Sequence, residues 1–198
     1  MTVATDFFDR TLQPSRLMVI LRGHAPDETV ELCRAAKAAG AGLVEVPLGG
    51  EAASEALRAA VRWGAEAGIC VGAGTVTSTE RLGQAAEAGA AFTVAPGFDA
   101  RVAEHSESLG LPHLPGVATP SEIQHARRAG YLWLKAFPAA ALGPAWFSAI
   151  RQPFPEVKLV ATGGINAGNA GSFLDAGASA VSLGSSFADS DDLRTTTS

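Results

Sequence analysis

Short runs of apolar, often β-branched residues alternate along this chain with longer stretches rich in Ala, Glu and Arg at helical spacing. The runs predict strands over 17–22, 42–48, 69–74, 92–96, 113–117, 131–138, 158–164 and 180–184, with room for a helix in each interval. Helix punctuation fits this rhythm. Asp27 is placed to cap a helix through Val30, Leu32, Cys33, Ala36 and Lys37 that stops at Gly40. Ser78 starts another, which ends at Gly89. Thr119-Pro120-Ser121-Glu122 opens a third, with Thr as cap, Pro at the first helical position and an acid at the third; it ends at Gly130. Ala-Gly-Ala recurs at 39–41, 88–90 and 176–178 as the same stop before the next strand.

Eight βα units predict one α/β domain over residues 1–198, closed as a (β/α)₈ TIM barrel in preference to an open doubly wound sheet. A short helix over about residues 1–14 is expected to close one end, and residues from about 188 to 198 read as a polar tail. In a barrel the C-terminal strand ends meet on one face. Arg22, Glu45, Thr75, Pro96, Lys135, Thr162 and Gly184 all stand at such ends.

Composition narrows the setting. With 198 residues, 47% hydrophobic and 18% charged, the chain suits one globular domain with a sizeable core. A net charge of −5 and scattered Lys and Arg argue against a nucleic-acid surface, so an anionic ligand must be held by local groups. No apolar run approaches a membrane span and the N-terminus has no signal-peptide pattern. Cys33 and Cys70 fall in no CxxC pair or ligand cluster and read as buried thiols of a reducing cytoplasm. His24, His105, His113 and His125 lack metal-ligand spacing, and His105 and His125 read as helix-surface residues; no metal is expected.

The chemistry centres on Lys135. Alternation puts Trp133, Lys135 and Phe137 on one strand face, and a lysine among aromatics in a barrel interior is driven toward the neutral amine that a Schiff base requires. The plainer alternative is a lysine that snorkels to solvent or pairs with a carboxylate. Glu45, an acid between Val44 and Val46, supplies either a proton carrier for such chemistry or the other half of a structural ion pair. Thr162-Gly163-Gly164 and Gly184-Ser185-Ser186 close the last two strands with glycine-rich turns, the usual phosphate site of this architecture, and Arg22 could add a charged donor. Gly72-Ala73-Gly74-Thr75-Val76 allows close backbone approach and offers the Thr75 hydroxyl to a carboxylate; it fails as a dinucleotide fingerprint.

Six motifs in order then carry a family resemblance over about residues 15 to 188: Gly-Leu-Val-Glu-Val at 42–46, Gly-Ala-Gly-Thr-Val at 72–76, Ala-Pro-Gly at 95–97, Leu-Pro-Gly-Val-Ala-Thr at 114–119, Leu-Lys-Ala-Phe-Pro at 134–138 and Thr-Gly-Gly-Ile-Asn at 162–166. The chain resembles the 2-keto-3-deoxy-6-phosphogluconate aldolase family. That resemblance implies a homotrimeric barrel, without metal or cofactor, that cleaves a phosphorylated keto acid to pyruvate and D-glyceraldehyde 3-phosphate. It matches Lys135 to the Schiff-base lysine, Glu45 to the general acid/base and Thr75 to the pyruvate-binding threonine. It matches Pro96 and Phe137 to residues packed around the keto acid, and Arg22, Gly163, Gly164, Gly184, Ser185 and Ser186 to the phosphate site.

The sequence also departs from the pattern. Gly49 stands where gluconate-type members usually carry an arginine for the pyruvate carboxylate. Val-Pro-Leu-Gly-Gly and Ala-Leu-Gly-Pro are similar to the phosphogalactonate branch, whereas Thr162, matched to a contact with the C4 hydroxyl, is similar to the gluconate branch. The preference at C4 is open on these markers. The usual last helix is expected to be short or completed by a neighbour. Competing readings are a 4-hydroxy-2-oxoglutarate aldolase of the same family, a phosphate-binding barrel epimerase or synthase without a Schiff base, and a non-catalytic phosphosugar-binding trimer.

Overall fold

Each apolar run becomes a strand, trimmed at the ends where glycine or proline interrupts the ladder. The computed structural model describes residues 3–184 and 187. Its strands are β1 (Leu17–Ile20), β2 (Leu43–Pro47), β3 (Cys70–Gly74), β4 (Thr93–Val94), β5 (His113–Leu114), β6 (Gly116–Val117), β7 (Trp133–Ala136), β8 (Lys158–Thr162) and β9 (Ala180–Leu183). All pairings are parallel, in the order β5-β4-β3-β2-β1-β9-β8-β7-β6. The helices are α1 (Val3–Thr11), α2 (Pro26–Ala38), α3 (Glu51–Ala67), α4 (Thr79–Glu87), α5 (Ala100–Ser108), α6 (Pro120–Arg128), α7 (Ala139–Leu142), α8 (Pro144–Arg151) and α9 (Ala167–Asp175). The result is the expected (β/α)₈ TIM barrel.

Two local expectations change. The single run 113–117 forms two short strands, because Pro115 has no N–H to give to a ladder. β5 pairs with β4 and β6 pairs with β7, so the two free edges of the sheet are joined through Pro115 itself. Gly116 is required here: a Cβ would lie 2.2 Å from the Pro96 carbonyl. The second change concerns Asp27. Helix α2 starts at Pro26 with Ala25 as its cap and no side-chain cap bond, since proline at the first position already has the helical φ and needs no acceptor. Asp27 instead sits in the first turn, where its charge favours the helix dipole. Ser78 and Thr119 cap as expected, the latter in a capping box with Glu122.

Helix α1 plugs the N-terminal end of the barrel. Phe8, fully buried, meets Phe7, Phe92 and Trp133 with ring centroids 5.1 to 6.2 Å apart. Asp9 accepts hydrogen bonds from Trp133 Nε1 at 2.7 Å and Lys158 Nζ at 2.5 Å. Burial of one such aromatic contributes roughly 2–3 kcal/mol, so the apolar contacts outweigh the partly exposed ion pair in holding the plug. Phe187, beyond β9, is also buried against the core. Ser185, Ser186 and the tail from 188 to 198 lie outside the described residues.

Candidate functional site

The inward-facing positions can be counted from the strand registers. Ile20, Glu45 and Gly72 are neighbours across β1, β2 and β3, and Gly116, Lys135 and Val160 across β6, β7 and β8. Period-two alternation then sends the Glu45 and Lys135 side chains into the barrel. Glu45 is fully buried and Lys135 is 6% exposed. Lys135 Nζ lies 3.8 Å from Glu45 Oε2 and 5.4 Å from the centroid of the Phe137 ring.

The approach of this pair has a sequence cause. A Cβ on Gly74 would fall 1.9 Å from Glu45 Oε1, so only glycine at the end of β3 leaves room for the carboxylate. At 3.8 Å the two charges attract but fall short of a charge-assisted hydrogen bond. Among the described residues neither Glu45 oxygen has a hydrogen-bond partner. A buried carboxylate without partners is costly to fold and free to accept a proton from a third group.

Thr75, the residue after Gly74, takes a left-handed backbone conformation (φ 59°) that β-branched residues rarely adopt. Its hydroxyl accepts a hydrogen bond from Arg22 Nη2 at 3.2 Å, and its carbonyl accepts one from Arg81 Nη1 at 2.8 Å. Arg22 follows β1, whose other neighbour is β9, so it stands between Thr75 and the Gly184 strand end. The structure thus brings Arg22 to Thr75, with no hydrogen bond to Gly163, Gly164 or Gly184 among the described residues.

The Gly163-Gly164 turn follows β8, two strands round the barrel from β1. Gly163 and Gly164 both have positive φ, 93° and 75°, directly after Thr162 ends the β8–β9 ladder. The Phe137 ring lies 3.0 Å from the position a Gly163 Cβ would take, which brings the glycine turn against the residue that follows β7. Thr162 is buried, its hydroxyl donating to the Val160 carbonyl at 3.3 Å. Phe137 is 36% exposed at the rim, and Pro96, half-buried, abuts Gly116, the register partner of Lys135. Gly184 is half-buried at the end of β9, while the two serines that follow are outside the described residues.

The structure brings two polar groups into view: Ser182, which sequence reasoning overlooked, and His113, which it named only as lacking metal-ligand spacing. Ser182 is buried on the inward register of β9, level with Thr162 and Met18, and its hydroxyl has no partner among the described residues. The signal was a serine at an inward position of Ala-Val-Ser-Leu. His113 faces the other way, into the layer between barrel and helices. Its Nδ1 lies 2.8 Å from Thr93 Oγ1, and its ring meets Tyr131 edge-on. Burial pushes the His113 imidazole down to about 4. It floors a cavity of about 210 Å³ lined also by Val76, Pro96, Phe98 and Val102. No group of three His, Cys, Asp or Glu among the described residues could hold a metal ion.

Comparison with known proteins places this geometry. The family model for KDPG and KHG aldolases matches residues 8–197. The chain is 37% identical over 164 residues to a 2-dehydro-3-deoxy-phosphogluconate aldolase of Treponema pallidum, covering 82% of this chain and 77% of that one. It is 34% identical over 171 residues to the 2-dehydro-3-deoxy-6-phosphogalactonate aldolase of Escherichia coli, covering 85% and 82%. A crystal structure of KDPG aldolase from Legionella pneumophila, with pyruvate captured as a covalent carbinolamine, superposes with a TM-score of 0.82 at 30% identity, covering 91% of this chain and 87% of that one.

Proposed function

The chain belongs to the KDPG and KHG aldolase family of class I lyases, and from that premise we propose that Lys135 is its Schiff-base amine and Glu45 its proton carrier. The substrate is a 2-keto-3-deoxy-6-phospho sugar acid of the gluconate or galactonate type. The observation that carries this reading is the buried approach of Lys135 Nζ to a carboxylate that has no hydrogen-bond partner among the described residues.

The steps follow from the groups present. Lys135 Nζ adds to the C2 carbonyl carbon; protons delivered to the oxygen allow water to leave, and an iminium forms. Glu45 takes the proton of the C4 hydroxyl as the C3–C4 bond breaks, and the bonding pair moves toward the iminium nitrogen to give an enamine. D-Glyceraldehyde 3-phosphate departs. Glu45 returns a proton to C3, and water then hydrolyses the iminium to release pyruvate and the free amine. Thr75 receives the carboxylate: with Arg22 donating to its oxygen, the hydroxyl keeps its own hydrogen for the substrate. Pro96 and Phe137 pack the keto acid, and Thr162 meets the C4 hydroxyl. Gly163, Gly164, Gly184, Ser185 and Ser186 form the phosphate cradle, with Arg22 within reach of either anionic end.

Borohydride reduction in the presence of pyruvate tests the central assignment. We expect one reduced adduct on Lys135 and none on Lys135→Met; an adduct elsewhere, or no adduct in the parent protein, overturns it. Parallel cleavage of the two epimeric substrates assigns the C4 preference. The resemblance further supports a homotrimer, to be checked by sedimentation. A cytoplasmic setting accords with the free thiols of Cys33 and Cys70.

A further inference from the structure

Arg81 occupies the third position of α4, after the Ser78 cap. That is an unfavourable place for a cation, because the helix dipole there favours negative charge and the third position is where Glu or Gln completes a capping box. Glu80 and Glu51 line the same open cavity as Arg81, yet no ion pair joins Arg81 to either among the described residues. Its guanidinium turns instead to the carbonyl of Thr75, 2.8 Å away.

The target of that bond is unusual. On one side of Thr75 the Gly74 carbonyl accepts from Leu48 N at 2.9 Å, and on the other Val76 N donates to the Val94 carbonyl at 3.0 Å. Both flanking residues are therefore fixed to neighbouring strands. Thr75 alone carries the reversal, in a conformation its branched side chain disfavours. A carbonyl turned out of the ladder by such a reversal needs a donor, and Arg81 supplies it. The Arg81 N–H meanwhile donates to the Ser78 hydroxyl at 3.2 Å, which ties the start of α4 to the same short turn.

We propose that Arg81 is a positioning residue: by holding the Thr75 carbonyl it fixes the left-handed turn that presents the Thr75 hydroxyl to the keto-acid carboxylate. This rests on the reading of Thr75 as the carboxylate contact. Arg81 touches no reacting atom. It sets how tightly the keto acid is held before Lys135 reacts, not the rate of bond making. Gly49, on the same cavity, has no side chain that could reach the turn in its place.

The test compares Arg81→Met, Arg81→Lys and Thr75→Val with the parent enzyme. It measures pyruvate concentration dependence of borohydride trapping, steady-state KM and kcat with the phosphorylated keto acid, and thermal midpoint. Arg81→Met is expected to raise the half-saturating pyruvate concentration and KM by about tenfold, the scale of one hydrogen bond from a charged donor, with kcat within about twofold. Arg81→Lys keeps one donor and is expected to recover part of the loss. The thermal midpoint should stay within about 2 °C of the parent, since the bond is local and half-exposed.

An unchanged KM, an equal fall in kcat, or a KM loss that lysine does not relieve and that tracks the thermal midpoint overturns the proposal. Thr75→Val separates the two layers. If it leaves pyruvate saturation unchanged, Thr75 is not the carboxylate contact and both readings fall. If it weakens saturation while Arg81→Met does not, only the role of Arg81 falls.

Discussion

Two lysine–carboxylate pairs stand at opposite ends of the barrel, each with its Nζ 5.4 Å from an aromatic centroid. At the N-terminal plug, Asp9 takes hydrogen bonds from Lys158 and Trp133, and Lys158 gives another to Gln13 at 2.9 Å. Burial opposes the Asp9 charge, but the Lys158 and Trp133 hydrogen bonds hold its carboxyl below the ordinary value. At the C-terminal mouth, Lys135 and Glu45 stand 3.8 Å apart, deeper in the protein, and neither carboxylate oxygen has a hydrogen-bond partner among the described residues. The charged groups are the same, an amine and a carboxylate, and the difference lies in saturation. A half-exposed, satisfied pair is worth about 1 kcal/mol and serves the fold. A buried, unsatisfied pair is at best neutral for stability, so the fold alone gives no reason to keep it.

The sharpest way to break that comparison is to change one carboxylate in each pair. Glu45→Gln keeps the shape beside Gly74 and removes the proton acceptor, so turnover should fall by about 10²- to 10⁴-fold while the thermal midpoint holds or rises. A fall below tenfold in kcat/KM would move the proton-carrying role elsewhere.

A third ionisable group sharpens the comparison from the side of stability. His113 is buried without a carboxylate, and its value in the fold is about 4 against 6.5 in the open chain. The unfolded chain therefore takes up the proton first as pH falls. Its contribution is complete above pH 6.5 and is lost progressively down to about 4, by roughly 3 kcal/mol. Urea midpoints across that window should fall for the parent and flatten for His113→Phe; an equal slope in both would assign the acid sensitivity to other groups.

Asp9→Asn gives the smallest effect. Because the folded Asp9 value is depressed, its stabilisation is present above the ordinary carboxylate range and fades as pH drops through the folded value. At neutral pH the loss should be about 1 kcal/mol by urea titration, with kcat/KM unchanged. A change in turnover would join the plug to the chemistry.

Much of this was legible before any coordinates. Alternation in Trp-Leu-Lys-Ala-Phe and Leu-Val-Glu-Val-Pro fixes which side chains face inward, since a strand has only two faces. That is why Lys135 and Glu45 meet. The capped helix starts at Ser78 and Thr119 were equally readable, because a cap is a contact within four residues. Contacts that depend on how the chain reverses were not. Nothing about a threonine announces a left-handed φ, so the Arg81–Thr75 bond had no signature. Pro115 inside an apolar run was a visible warning of a broken ladder, but its use as a joint between two sheet edges depends on closure of the whole ring. Asp27 gave way to Pro26 because two start signals overlapped by one residue.

The joint at Pro115 reaches into the chemistry. The Pro115 carbonyl accepts the backbone N–H of Lys135 at 2.9 Å. The residue that joins β5 to β6 is thus also one that anchors β7. In most sheets a seam is where strands part first, and a nucleophile beside it would wander. Here β5 and β6 are consecutive stretches of one chain, so β4 and β7, on either side of the seam, pair with the same short segment. The backbone of Lys135 therefore hangs from a segment whose two halves cannot part from each other, while each half holds its neighbouring strand by hydrogen bonds.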